Sequence, residues 1–156
     1  MMKPNLMKAI LGGLAGTVMM TMMMRFVAPL MLGHPMDIAG MLANMMGGAW
    51  AMGMAAHLVN GIVIFPLVYA FVLFRYLPGP PLLKGVLWGA VLWLAAEAMI
   101  MPMAGAGFFS SETGGAKAVF AALMGHVVYG ALLGYIAGPA VQDAAQKAVA
   151  AAKGGK

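Results

Sequence analysis

This sequence has no cysteine and few charged residues. Without a thiol it has no disulfide, no thiolate metal site and no cysteine-ligated iron–sulfur cluster. Only 8% of its residues are charged, whereas soluble domains carry about a quarter, and its mean hydropathy is +0.93. A soluble fold of this composition could not cover its surface with polar groups, so the sequence predicts an integral membrane protein.

The positive charge does not indicate a nucleic-acid partner. The formal net charge is +5, but the nine basic residues are scattered along the chain. They form no basic stripe with interleaved aromatic residues, which is the pattern of a nucleic-acid surface. We therefore expect the partner to be the lipid bilayer.

Four apolar segments are each long enough to cross a bilayer, which takes about 20 residues. Turn-forming and charged residues separate them. The sequence predicts an all-α, four-transmembrane-helix bundle over residues 1–138, with spans at about 9–32, 48–74, 82–103 and 118–137. Residues 139–156 are predicted to form a cytoplasmic tail rich in alanine and lysine.

The first loop carries a helix-start signal. Asp37 precedes an apolar run and is expected to N-cap a short interfacial helix, Ile38–Met46. Lysine and arginine concentrate at the two termini and in the second loop, and such residues mark the cytoplasmic side. Both termini are therefore predicted to be cytoplasmic. The basic residues on that side are Lys3, Lys8, Arg75, Lys84, Lys147, Lys153 and Lys156.

The two halves of the chain resemble each other. The motif His57-x-x-x-Gly61 in the second span returns as His126-x-x-x-Gly130 in the fourth. Two helical hairpins inserted in the same direction would be related by an axis along the membrane normal. The sequence thus favours two repeated hairpins.

Small residues and a proline predict how the spans pack. A G-x-x-x-G step at Gly12 and Gly16 faces the same membrane half as the ridge Gly130, Gly134 and Gly138, so the first and fourth spans are expected to pack closely there. Pro66 is expected to kink the second span and to free a backbone carbonyl one turn earlier.

The ionisable residues of the spans fall at one depth. By this topology Arg25, His57, Glu97 and His126 all lie in the outer half of the bundle. All 19 methionines except Met1, Met2 and Met7 lie at or outside the midplane. Ionisable groups inside a membrane are functional candidates by default.

The leading interpretation of this polar, methionine-rich layer is structural. Arg25 would form an ion pair with Glu97, the histidines would bond across helices, and methionine would fill irregular gaps. The protein would then be a non-catalytic accessory or structural subunit, within a larger membrane complex or a homo-oligomer. The sequence contains no complete catalytic motif, so we expect that the protein is not an enzyme.

The runner-up is a b-type cytochrome in which His57 and His126 ligate haem from facing helices. Gly61 and Gly130 lie four residues after the histidines and would make room for the ring. Arg25 would pair with a propionate.

A third interpretation is a copper(I) site, because thioether and imidazole ligands suit that soft ion. Its candidate ligands are His57, His126, Met54 and Met23. A fourth is transport of a small solute, with Glu97 and a histidine relaying protons in a homo-oligomer.

Three segments carry a resemblance to known sequences. His57-Leu-Val-Asn-Gly61, the loop from Leu77 to Gly85, and Met101-Pro-Met-Ala-Gly-Ala-Gly-Phe-Phe109 are similar to an uncharacterised family of small bacterial four-span membrane proteins. The resemblance extends to about Gly138 and implies a multi-pass protein of the bacterial inner membrane. It implies no activity, cofactor or site residue.

Overall fold

The computed structural model describes residues 6–154, with side chains for residues 6–138, Gln146 and Ala150. This part of the chain is helical and contains no strand. One 3₁₀ turn, Phe108–Ser110, lies in the third loop. The five helices are α1 (Leu6–Leu32), α2 (Ile38–Met46), α3 (Trp50–Leu73), α4 (Pro81–Met103) and α5 (Gly115–Gly154).

Four of these helices are long and apolar enough to cross a membrane, namely α1, α3, α4 and the Gly115–Gly138 part of α5. The predicted all-α four-span architecture is confirmed, and the chain is a multi-pass membrane protein. The helix predicted in the first loop is also confirmed: its N-cap Asp37 accepts a hydrogen bond from Gly40 N at 2.9 Å. Beyond the predicted boundary at residue 138, α5 continues unbroken to Gly154.

The antiparallel spans place the first and third loops at one end of the bundle. Leu32, Asp37, Ala104 and Ser110 line one crevice there. At the opposite end, Gly138 of α5 contacts Pro81 after the second loop. We call these the outer end and the inner end.

Glycines bring α4 and α5 into backbone contact. Gly85 packs against Gly130 and lies where a Cβ would be 2.7 Å from the Gly134 Cα, and Gly89 packs on the His126 carbonyl. The ridge Gly130, Gly134, Gly138 therefore faces the third span, whereas the sequence predicted that it faces the first. The reason is that α4 carries its own small-residue step, Gly85-x-x-x-Gly89, which matches the ridge.

The predicted contact between the first and fourth spans is nevertheless present, through two glycines of α1 and not through the ridge of α5. A Cβ at Gly12 would lie 3.1 Å from Leu133, and one at Gly16 would lie 2.7 Å from the Tyr129 ring. Gly13 faces the second span, where a Cβ would lie 2.7 Å from the Gly61 carbonyl.

The inner and outer halves of α3 have different neighbours. In the inner half, the Phe65 ring meets the Trp88 ring edge-on at 6.2 Å, and the Tyr69 hydroxyl donates to Pro81 O at 3.0 Å. In the outer half, Gly53 packs directly on the backbone of Ala39 in α2. In its inner half α3 therefore packs against α4, and in its outer half it packs against α2.

Three prolines are each preceded by a π-helical turn. The residue before each proline bonds five residues back rather than four: Ala28 N to Met23 O, Phe65 N to Asn60 O, and Met101 N to Ala96 O. The following residues, Pro29, Pro66 and Pro102, have no N–H to donate. In each case one carbonyl loses both its α-helical and its π-helical donor.

The freed carbonyls belong to Met24, Gly61 and Glu97. Gly61 O accepts the Tyr129 hydroxyl at 2.8 Å, and Met24 O accepts Met36 N at 3.2 Å. The carbonyl freed by Pro66 thus joins α3 to α5, and that freed by Pro29 joins α1 to the first loop. The structure therefore shows the freed carbonyl that was predicted for Pro66, at Gly61.

Adding a methyl group at Gly130 should destabilise the bundle, because its Cβ would meet the Gly85 carbonyl. We expect Gly130→Ala to cost about 1–3 kcal/mol, the usual range for overpacking. Gly125→Ala on the same helix is the control, since its Cβ would lie 3.4 Å from Met20, an ordinary contact. Thermal unfolding of both variants in detergent measures this. Equal stability of the two variants would contradict the close α4–α5 contact.

Removing the Tyr129 hydroxyl should leave Gly61 O without its donor. Interhelical hydrogen bonds in membranes are worth on average about 0.6 kcal/mol and at most about 1.7, so Tyr129→Phe should lower stability within that range. Tyr135→Phe changes the same group on the same helix at a site that is 71% exposed and should have no effect. Unfolding curves for the two variants provide the comparison, and indistinguishable curves would rule out a stabilising bond.

Candidate site: a histidine and methionine cavity in the outer half

A cavity of about 360 Å³ lies among all five helices, in the outer half of the bundle. Both histidines of the repeated motif line it, His57 from α3 and His126 from α5. The structure therefore brings together the two residues that sequence spacing placed at one depth. The remainder of the wall is mostly apolar, with Thr17, Asn60 and Tyr129 as further residues that carry polar side-chain groups.

His126 is held by its own helix. Its Nδ1 lies 2.8 Å from the carbonyl of Ala122, one turn earlier. A carbonyl only accepts, so Nδ1 carries the proton and donates it. In a neutral imidazole the other nitrogen, Nε2, then carries a lone pair. Nε2 has no hydrogen-bond partner in the described part of the chain.

His57 is held by α1. Its Nε2 lies 3.1 Å from the Thr21 hydroxyl oxygen, and that hydroxyl donates its single proton to Thr17 O at 2.7 Å. His57 Nε2 must therefore be the donor to Thr21, which leaves the lone pair of the neutral ring on Nδ1. Nδ1, like Nε2 of His126, is not hydrogen-bonded within the described residues.

Five methionines share the cavity wall with the histidines: Met20, Met24, Met41, Met99 and Met101. The two methionines singled out from the sequence as copper ligands lie elsewhere. Met54 lines a neighbouring cavity that also contacts His57, and Met23 lines a small crevice with Met124. Residue spacing in the sequence gives the depth of a side chain but not the direction in which it faces, so it missed the five that share the wall.

The neighbouring cavity, of about 540 Å³, lies toward the outer end, and its wall includes charged residues; we call it the outer cavity. Arg25, Asp37 and Trp50 line it together with His57. The Trp50 Nε1 donates to Asp37 Oδ1 at 3.0 Å, so Asp37 both caps α2 and fixes this ring. His57 belongs to the walls of both cavities and stands between them.

The structure does not bring Arg25 and Glu97 together. Arg25 is exposed and forms no ion pair among the described residues. Glu97 is 0% exposed and accepts the Ser110 hydroxyl on Oε2 at 2.8 Å, while its Oε1 has no partner within the described structure. The carboxyl faces the third loop rather than α1, which is why no pair with Arg25 forms.

Sequence reasoning missed the bond from Ser110 to Glu97. Phe109 and Ser110 both have φ of 51°, a left-handed conformation that is uncommon outside glycine, and it turns Ser110 into the bundle. The Phe109 ring packs edge-on against Trp93 of α4, with centroids 6.0 Å apart. No local pattern in the sequence marks this turn.

The glycines expected to make room for a haem ring have other neighbours. Gly61 lines the cavity but packs on the Thr17 side chain, and Gly130 packs on Gly85. Both are used for helix contact. Among the described residues, no three His, Cys, Asp or Glu side chains lie close enough to hold a metal ion, so any further ligand to a metal between the histidines would be of another kind.

Comparison with known proteins gives the family without an activity. No curated protein and no solved structure matches the chain. The family described as "Family of unknown function (DUF6789)" matches residues 3–148, ten residues beyond the limit at Gly138 that the resemblance suggested. Because the match covers nearly the whole sequence, this four-span membrane protein belongs to the DUF6789 family.

Proposed function

We propose that this protein is a non-catalytic accessory subunit that binds a ligand in the membrane, in the cavity between His57 and His126. The observation that carries this proposal is the shared cavity of about 360 Å³ into which both histidines are built. Ligand sites are typically apolar cavities of this order with a few convergent polar groups.

The hydrogen bonds of the histidines support a binding role. Each ring uses one nitrogen to fix its orientation, through Ala122 O or Thr21 Oγ1, and keeps the other unbonded. A histidine that ligates a metal is generally held in this way. An imidazole that served packing alone would gain from satisfying both nitrogens.

The outer faces of the spans leave room for a partner. Large apolar side chains such as Phe26, at 67% exposed, and Leu30, at 84%, cover them. Lipid satisfies such a surface, and so does another membrane subunit or a second copy of this chain. This supports the accessory part of the proposal.

Haem b is one candidate for this ligand. The hydrogen bond from His126 Nδ1 to a backbone carbonyl, with Nε2 free, suits an axial ligand. The macrocycle would have to be accommodated without help from Gly61 and Gly130, because helix contacts occupy the space beside both. Arg25 would reach a propionate only through the outer cavity, whose wall it shares with His57.

Purification in mild detergent tests the binding role. We expect a ligand to co-purify with the native chain and to be lost from the double variant His57→Ala/His126→Ala. Absorption spectra with and without dithionite detect haem, and native mass spectrometry with elemental analysis detects other ligands. His34→Ala is the control, since His34 lies exposed in the first loop. Retention of the same ligand by the double variant would place binding outside this cavity.

We also propose that both termini face the cytoplasm and that the membrane is the bacterial inner membrane. The basic residues at the inner end support this orientation, among them Arg75 of the second loop and Lys84 in the first turn of α4. A reporter active only in the periplasm should be inactive when fused after Lys156 and active when inserted at Gly105 in the third loop. The reverse pattern would invert the orientation.

A further inference from the structure

We propose that the cavity between His57 and His126 is a site for a single monovalent soft metal ion, copper(I), and that Met20 and Met24 of α1 supply thioether ligands. This inference rests on the binding role proposed above and names the chemical class of the ligand. It assigns to copper a set of residues different from the set that sequence spacing suggested.

The donors available in the cavity select the class of metal. His57 and His126 offer imidazole nitrogens, and the methionines offer thioethers, but no carboxylate or cysteine lines the wall. Mg²⁺ and Ca²⁺ require oxygen ligands, whereas thioether and imidazole suit copper(I). All these ligands are neutral, so the bound ion would keep its charge, and burying one charge in an apolar setting costs less than burying two.

Met20 and Met24 of α1 line the same cavity as the two histidines. They are four residues apart, and so lie on one face of the helix; both are buried, at 7% and 6% exposed. Met20 packs against α5 at Gly125, the residue before His126. A Cβ added at Gly125 would lie 3.4 Å from the Met20 Cγ. Thr21, which follows Met20, holds His57.

The outer cavity adjoins this site on the side of the outer end. Met54 lines the outer cavity. His57, Met24 and Ile38 line both the outer cavity and the cavity between the histidines. An ion arriving at the outer end would therefore meet a thioether and an imidazole first. Arg25 and Asp37 share the wall of the outer cavity, and their opposite formal charges offset each other.

Anaerobic titration of the purified full chain in detergent with copper(I), against the chromogenic chelator bicinchoninate, tests the site. We expect one copper(I) per chain. His57→Ala/His126→Ala should abolish this binding, and Met20→Leu/Met24→Leu should weaken it about tenfold or more, since even second-shell changes cost about 10–100-fold at metal sites. X-ray absorption of the complex should show both nitrogen and sulfur neighbours.

The matched control is Met22→Leu/Met23→Leu. These methionines lie on the same helix, but Met22 is exposed and Met23 faces a different crevice, so copper(I) affinity should not change. Leucine replaces methionine with little loss of volume or stability. Thermal unfolding of the apoproteins confirms that each variant folds.

Two results would overturn the proposal: no stoichiometric copper(I) on the native chain, or equal affinity in the Met20/Met24 and Met22/Met23 variants. If copper(I) fails to bind while haem or an organic ligand co-purifies and depends on the histidines, only the copper assignment falls. If the histidine variants change the binding of no ligand, the binding role falls as well.

Discussion

Every backbone polar group inside a bilayer must find its partner within the protein, because lipid offers none. Three prolines make this constraint acute, since each removes a donor from a span. The carbonyls freed by Pro29 and Pro66 accept tertiary hydrogen bonds. Met36 N donates to Met24 O, and the Tyr129 hydroxyl donates to Gly61 O. These two bonds tie the first loop to α1 and α5 to α3, so the prolines help to determine which elements are neighbours.

The glycine contact between α4 and α5 and the π-helical turns beside the cavity lie at different levels of the bundle. At the inner end, Gly85 and Gly130 let α4 and α5 meet backbone to backbone, and such contact leaves no room for a ligand. Toward the outer end, the π-helical turns at Asn60–Ile64 and Ala96–Ile100 insert extra backbone into α3 and α4 beside the cavity. Turns of this kind often occur at functional sites. The cavity thus lies beside two π-helical turns, on the outer side of the close contact between Gly85 and Gly130.

The sequence predicted the depth of the polar side chains in the membrane well, but not the direction in which each side chain points from its helix. Helices rise by a fixed amount per residue, so His57 and His126 could be placed at one level from residue counts, and they share a cavity. Arg25 and Glu97 were placed at one level by the same reasoning, yet Glu97 faces Ser110 in the third loop. The rotation of each helix depends on its partners. It follows from Gly85-x-x-x-Gly89 matching the ridge at Gly130, a relation that appears only when the spans are set side by side.

The positions of the protons on the two histidines restrict the classes of ligand that can bind more than the shape of the cavity does. The Ala122 carbonyl accepts a hydrogen bond from His126 Nδ1. The Thr21 hydroxyl donates to Thr17 O and accepts a hydrogen bond from His57 Nε2. Both rings therefore present a lone pair as their free group. A ligand whose polar group only accepts hydrogen bonds would find no donor on either ring. A cation accepts both lone pairs at once, and thioethers that carry no charge can complete its coordination without adding an unpaired anion to the membrane interior.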